Sequence, residues 1–559
     1  MSRWLCASAS IVIATCLICL ALGTAETGVS ADEPTQLDRT QTWLETGWFV
    51  PAVERESADP TSTANVYGPA ASSLAHMVNT VVGNEEHDTT SESAGAWQTR
   101  HLFVALLSIV AALCVGITVH RLTGSSTIAL WSVASLMAIP LWLGMGFFNI
   151  KDVPVACGYT MLTCGLVLAL TGPPPGRRAL MPLVAILVGG GIFLMVGTRI
   201  AMWVPAMAAL AVYGVAGWRI GTTGQPRVAG GLALAVIVGS FVACAALACL
   251  YPNVLLHPTT WLTESVTMSS SYPWEGFTLT AGHLLDQTPP WWYLPAWMVA
   301  SIPTGILVLA AAGIFSFVRW TWCGIRRTGW AASTDGKTIG LFLVTLQAAL
   351  LPVASMVGAS NMYSGLRQHL YVLPALAILS AIGAHRIVGH ARGRRPAIRF
   401  GVAAVLSLAI VVPTIEQWRL FPFNYTYVSP VASVRGIDDQ WETDYWFTSL
   451  REASRWVPPG EDLYCGPLIP KGRARSSFTL FNRCAPSLTR PFAGEQGSLA
   501  ESSDGAFAWV VAAKRAGNVP PDFCSVSAEI RRPARFSKVL MGYVLRCDRK
   551  EVEARAVSS

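Results

Sequence analysis

The stretch HLFVALLSIVAALCVGITV, residues 101–119, decides the fold. It is apolar all round rather than at the spacing of a half-buried helix or strand. Its length approaches the roughly 20 residues that cross a bilayer core as a helix. Ten further runs read the same way, at 4–24, 127–148, 153–171, 179–197, 200–218, 228–250, 294–318, 338–357, 368–385 and 400–417. They are continuously apolar instead of alternating, so they are helices and not the strands of a barrel; lipid requires each to satisfy its own backbone. Composition agrees. Of 559 residues 52% are hydrophobic and only 13% charged, with a mean hydropathy of +0.45, whereas a soluble chain is about one-quarter charged.

Orientation follows from the basic residues. With Arg3 inside and eleven crossings, the inner loops hold Arg121, Arg177, Arg178, Arg327, Arg386, Arg394 and others, with Asp335 as their only acid. The outer loops hold Asp32, Glu33, Asp38, Asp152, Glu264 and Asp286. This is the asymmetry of the positive-inside rule. The net charge of +7 therefore reflects topology, and nucleic-acid binding is not implied. The first run is long for a cleaved signal peptide, so a retained anchor is expected, although Gly23 and Ala25 resemble a cleavage site.

The expected architecture is an all-α polytopic membrane bundle, residues 1–417, with a small C-terminal α/β extracytoplasmic domain, residues 418–559. Two outer loops are long, 25–100 and 251–293. The first should hold a juxtamembrane helix around TQLDRTQTWLETGW, residues 35–48. The tail contains strand-like runs, FAWVVAA (507–513) and SKVLMGYVLRC (537–547). Nine of the thirteen cysteines lie in or beside apolar helices, where cysteine packs as a small apolar residue. The other four, Cys465, Cys484, Cys524 and Cys547, lie in the exported tail and suggest disulfides. Proximity favours Cys465–Cys484 and Cys524–Cys547, one of three pairings. No Cys/His spacing suggests structural zinc.

The chemistry-bearing residues sit at outer helix ends. ADEPTQLDRT places Asp32 and Glu33 just beyond the first run, and FFNIKDVP places Lys151 and Asp152 in a very short outer turn. A carboxylate there can take the proton of an attacking acceptor hydroxyl. Lys151, Arg100, Arg199 and Arg367 can stabilise a departing phosphate. The same residues also have plain readings: Asp32 and Glu33 as solvated loop acids, Lys151 and Asp152 as a weak interfacial ion pair, the arginines as snorkelling side chains. No cofactor is implied, although Asp32, Glu33 and Asp152 could hold a hard divalent cation together with a phosphate.

Several segments, in order, add a family resemblance. DEP (32–34), VYGPAASSLAHMV (66–78), RHLFVALLSIVAAL (100–113), FFNIKDVPVACGYTM (147–161), LPAW (294–297), MYSGLRQHLYVLPALAILSA (362–381), PFNYTYVSPV (422–431) and WETDYWFTSLREASRWV (441–457) together resemble bacterial members of glycosyltransferase family 39. These are relatives of the dolichyl-phosphate-mannose protein mannosyltransferases. The resemblance implies the GT-C fold, with Asp32 and Glu33 as the first-loop acidic pair, Asp32 as base, and Asp152 as the second-loop acid. Arg367 resembles the arginine of a GxRH-like segment, here GLRQH, where Gln368 is an insertion before His369. The loop 251–293 is far too short for the lumenal β-trefoil of the eukaryotic enzymes, so protein O-mannosylation is not implied.

The function expected from these features is transfer of a sugar, mannose by the resemblance, from a polyprenyl-phosphate donor to an acceptor hydroxyl of a protein, glycan or lipid. The site would lie on the extracytoplasmic face of the plasma (inner) membrane. A transporter or flippase of lipid-linked precursors is the alternative. Transporters tend to carry inverted repeats and midplane charges, and neither stands out here.

Overall fold

The structure is a computed structural model. It describes residues 2–51, 66–84, 94–172, 177–222, 226–251, 257–272, 276–328, 335–458, 461, 463–467, 482–483, 505–514, 519–535 and 538–555. The chain opens with α1 (Ser2–Glu26), α2 (Asp32–Thr46), α3 (Ala70–Val82), α4 (Ala94–Thr123), α5 (Ser126–Met137) and α6 (Pro140–Met145). It continues through α7 (Asp152–Thr171), α8 (Arg177–Thr198), α9 (Trp203–Thr222), α10 (Pro226–Leu250) and α11 (Pro258–Ser270). A small hairpin, β1 (Thr278–Thr280) and β2 (His283–Leu285), leads to α12 (Tyr293–Ser301), α13 (Thr304–Thr328), α14 (Gly336–Val357), α15 (Val372–Ala391) and α16 (Pro396–Leu420).

Among the described residues ten helices are long and apolar enough to cross a membrane: α1, α4, α7, α8, α9, α10, α13, α14, α15 and α16. The run 127–148, expected as an eleventh crossing, is split into α5 and α6. Pro140 has no N–H to continue the ladder, and its ring collides with the preceding turn. Pro303 breaks the run at 294–318 in the same way, separating α12 from α13. The juxtamembrane helix expected at 35–48 is α2.

Packing explains why α1 is part of the bundle. Leu5, Ala9, Val12, Cys16 and Cys19 recur at three- and four-residue spacing and are all buried. Elsewhere helices approach through small residues, which is how membrane helices pack when lipid is as apolar as their side chains. At the α13–α15 crossing, a Cβ on Gly313 would lie 2.0 Å from the Leu379 carbonyl oxygen, and one on Gly383 would lie 2.2 Å from that of Leu309. No larger residue fits either position.

Beyond α16 the chain forms α17 (Leu450–Ser454), β3 (Leu463–Pro467), β4 (Asn482–Arg483), β5 (Phe507–Ala513), β6 (Cys524–Pro533), β7 (Lys538–Asp548) and α18 (Arg549–Arg555). The sheet order is β4-β3-β5-β7-β6, with β3 and β5 parallel and the other neighbours antiparallel. The two strand-like runs of the tail are β5 and β7, and both are largely buried. Cys524 and Cys547 face each other across β6 and β7 and are disulfide-bonded. Cys465 is also disulfide-bonded, and the partner expected for it, Cys484, lies outside the described residues.

The sheet is held by specific bonds against the chain that follows α16. Arg532 donates to the Phe421 carbonyl at 2.8 Å and pairs with Glu452. Thr443 donates to the Leu540 carbonyl at 3.0 Å. Orientation can be tested at exposed positions with a membrane-impermeant thiol reagent. In a chain whose exposed Cys244, Cys249 and Cys323 are replaced by Ser, Val434→Cys (78% exposed) is expected to label from outside intact cells. Arg394→Cys is expected to label only after lysis, because basic loops resist export. Ready labelling of Arg394→Cys in intact cells would reverse the orientation.

Candidate active site

Four segments far apart in sequence meet at one end of the bundle: the start of α2, the turn 149–151, the junction of α8 with α9, and the loop 362–369. Each is built locally. Asp32 and Glu33 occupy the first turn of α2, where the helix dipole favours negative charge. The turn before α7 is shaped by Asn149. Its Oδ1 accepts from the backbone N–H of Lys151 (3.1 Å) and Asp152 (2.8 Å), and its Nδ2 donates to Asp152 Oδ2 at 2.9 Å. Such a side-chain-closed turn is a habit of asparagine. In the loop before Arg367, Ser364 and Gly365 both have positive φ, 55° and 72°. The Tyr293 hydroxyl accepts from the Gly365 N–H at 3.0 Å. A left-handed serine is strained, and strain of this kind collects where a chain is held for function.

The result is a compact charge cluster. Asp32 Oδ2 lies 2.5 Å from Lys151 Nζ and 3.2 Å from an Arg367 N–H. Beside them Arg199 pairs with the buried Asp152. Lys151 and Arg367 are only 5% and 8% exposed, while the Asp32 side chain keeps about a third of its surface open. Desolvation works to raise the Asp32 carboxyl, but Lys151 and then Arg367 outweigh it and hold it well below the usual carboxylate range.

Aromatic rings line the cations. Lys151 lies 4.8 Å from the Tyr67 ring centre, Arg39 5.1 Å and Arg199 5.7 Å. Arg367 lies 4.8 Å from Tyr363 and 4.4 Å from Trp446. Burial tends to raise the Tyr67 phenol, and Lys151 and Arg199 reverse this and hold it below its ordinary value. Tyr67 is positioned by Gly68, where a Cβ would sit 1.3 Å from the Tyr251 hydroxyl. His369 contacts Ser355 at 3.1 Å. Burial first, then Arg199, pushes its imidazole down to about 3, so it is neutral at physiological pH. Arg367 Nε, Arg199 Nε and His369 Nδ1 are buried with no hydrogen-bond partner among the described residues. The two guanidinium N–H donors are costly to leave in this state, and an anion would satisfy them.

Of the residues singled out from sequence, Asp32, Lys151, Arg367, Asp152 and Arg199 come together here. Glu33 is placed elsewhere, and Arg100 takes no part in the ion pairs just described. Glu33 turns away from Asp32 and is 1% exposed. Its Oε2 accepts from the Ser30 N–H at 2.7 Å, and its Oε1 lies 3.0 Å from His101 Nε2. His101 Nδ1 lies 3.1 Å from the Thr24 carbonyl oxygen. Both ring nitrogens thus lie within hydrogen-bond distance of oxygen atoms. Ser30-Ala-Asp-Glu33 has the S-x-x-E spacing of a capping box, the sequence signal for this structural role. Arg100 is buried on α4 beside His101, and none of the ion pairs of Asp32 or Asp152 just described includes it. Among the described residues no group of three or more His, Cys, Asp or Glu side chains is gathered as for a metal ion. Tyr67, Asn149, Tyr363 and Trp446 lie outside the set read from sequence.

No family model matches the sequence, and no curated protein matches it. Among solved structures, ArnT from Cupriavidus metallidurans in the apo state is similar at 14% identity and TM-score 0.48, over 98% of this chain and 99% of that one. ArnT bound to undecaprenyl phosphate is similar at 12% identity and TM-score 0.48, over 95% and 97%. The oligosaccharyltransferase AglB from Archaeoglobus fulgidus, in complex with an inhibitory peptide and a dolichol-phosphate, gives 11% identity and TM-score 0.44, over 80% and 58%. Similarity of this size decides nothing about chemistry.

The Glu33–His101 pair generates a stability prediction. Removing one partner leaves a buried group unpaired, which typically costs about 3–5 kcal/mol. In thermal unfolding of the detergent-solubilised protein, Glu33→Gln and His101→Gln should each lower the midpoint strongly. The double substitution should cost clearly less than their sum. Additive effects would show that the two groups do not interact.

Proposed function

We propose that this chain is a membrane glycosyltransferase of the GT-C type. It transfers a sugar from a polyprenyl-phosphate carrier to an acceptor hydroxyl at the end of the bundle that carries Asp32. The single observation that carries this reading is a carboxylate gripped by two buried cations, Lys151 and Arg367, at the edge of an apolar bundle, with unspent guanidinium donors beside it. The ordered likeness of the sequence segments to glycosyltransferase family 39 supports it, and mannose as the sugar rests on that likeness alone.

The chemistry follows from competition for the same donors. A lipid phosphate brings anionic oxygens to Lys151 and Arg367, and guanidinium matches phosphate geometry in a bidentate way. As the phosphate takes over those N–H groups, Asp32 loses its cations and regains basicity. It then accepts the proton of the acceptor hydroxyl as that oxygen attacks the anomeric carbon. The bond from that carbon to the phosphate oxygen breaks, and its electron pair leaves with the polyprenyl phosphate. Lys151 and Arg367 stabilise the developing charge, and Asp152 keeps Arg199 beside them. A single displacement of this kind inverts the anomeric centre. Donor binding therefore precedes activation of the acceptor. Lipid-linked precursor transport is less well supported, because the ion pairs gather at one end of the bundle, while beyond Asp152 the side chains that α7 itself buries carry no charge.

The test is transfer in membranes from a radiolabelled polyprenyl-phospho-sugar, with protein level checked. Asp32→Asn should lower kcat by about 10²–10⁴-fold through loss of the base. The same change should leave polyprenyl phosphate binding intact or tighter, because the competing carboxylate charge is gone. Arg367→Lys should weaken donor use, since an ammonium cannot make the bidentate contact. Near-normal transfer by both Asp32→Asn and Asp152→Asn would overturn the mechanism.

A further inference from the structure

Lys151 and Arg367 are buried cations whose N–H groups must remain available to a ligand. A carboxylate partner alone would consume those donors. An aromatic face holds a cation through the ring quadrupole and leaves its N–H groups free. Such contacts reach to about 6 Å from the ring centre, and each of the two cations lies that close to two rings: Lys151 to Tyr67 and Trp446 (4.8 and 5.8 Å), Arg367 to Tyr363 and Trp446 (4.8 and 4.4 Å). Trp446 is the ring they share.

Trp446 lies on the segment after α16, and everything around it fixes its aim. Its carbonyl accepts from the N–H of Ala31, the residue before Asp32, at 3.1 Å. The Asp444 carboxylate is fully buried and accepts from the N–H groups of Thr448 (3.2 Å) and Ser449 (2.9 Å) and from the Tyr425 hydroxyl. This closes the turn that presents the ring. Phe447, immediately after, is held at φ 63°, a rare conformation for a residue of its bulk. Phe148, from the turn before α7, meets the indole edge-to-face with centroids 5.8 Å apart. The indole itself is 2% exposed, and its N–H has no partner among the described residues. The fold therefore buries a tryptophan here with no partner for its N–H among the described residues, and what it gains is the cation-facing ring surface.

We infer that Trp446 is a positioning residue of the active site, holding the Lys151 and Arg367 cations in the geometry that receives the donor's phosphate. It makes the C-terminal segment an integral part of a site whose charged groups all come from the bundle and its outer loops. The inference rests on the reading of the cluster as a lipid-phosphate seat, and the experiment separates the two.

Binding of undecaprenyl phosphate to the purified full-length protein in nanodiscs is measured for wild type, Trp446→Phe, Trp446→Met and Arg367→Gln, with the melting temperature of each. Phe keeps the aromatic face and removes the orphaned N–H. It should bind within about threefold of wild type and melt no lower. Met fills much of the volume without a π face and should weaken binding about tenfold, with a melting temperature close to that of the Phe variant. Arg367→Gln should weaken binding at least as much. If Arg367→Gln loses binding and Trp446→Met does not, the role of Trp446 is overturned and the phosphate seat stands. If neither changes binding, the seat itself is wrong.

Discussion

A cation buried at the edge of an apolar bundle has to be compensated on the spot, and here two such cations share one carboxylate. Lys151 and Arg367 converge on Asp32, and Arg199 is neutralised beside them by Asp152. Losing either carboxylate would leave desolvated positive charge in excess, which proteins avoid except where a ligand supplies the anion. The cluster is thus stable at rest and still incompletely satisfied, since the guanidinium Nε atoms of Arg367 and Arg199 remain unpaired among the described residues. That combination suits a site whose substrate is itself an anion.

Much of the remaining structure serves to hold these charges at fixed separations. Asn149 closes the turn that carries Lys151 and Asp152. Gly68 lets Tyr67 come against the α8–α9 junction, where Tyr67 and Arg199 pair as an isolated bridge. Glu33 and His101 tie the start of α2 to α4, so that Asp32, one residue earlier, has a firm anchor. Arg451 of α17 donates to the Thr27 carbonyl at 3.1 Å, bringing the tail against the stretch that leads into α2. The sheet, through Arg532 and Glu452, braces α17 in turn. The C-terminal tail therefore reaches the charged cluster through a short series of hydrogen bonds and ion pairs.

The sequence displays the bundle well because membrane helices are written in contiguous residues. Each apolar block is a local signal, and ten of them are full-length helices. The block at 127–148 is read as one continuous helix because hydropathy does not register the missing N–H of Pro140, which divides it into α5 and α6. In the tail, the apolar strands β5 and β7 are legible, whereas β6, with exposed Ser525 and Ser527 and a largely unburied pattern, carries little apolar signal. The charged members of the site are legible as residues at helix ends. Their partners are not, since Tyr67, Tyr363 and Trp446 come from three distant segments and an aromatic near a cation leaves no mark in one dimension. Glu33 shows the opposite case: a neighbouring acid suggests a shared role, while the S-x-x-E spacing encodes a helix start.

The account depends on Asp32 exchanging its cations for a phosphate. A cryo-EM structure of the full-length protein with undecaprenyl phosphate tests this most directly. The account predicts phosphate oxygens about 3 Å from Lys151 Nζ and from the Arg367 guanidinium, with the Asp32 carboxylate released from at least one of them. A phosphate bound elsewhere, with Asp32 still paired to both cations, would contradict it.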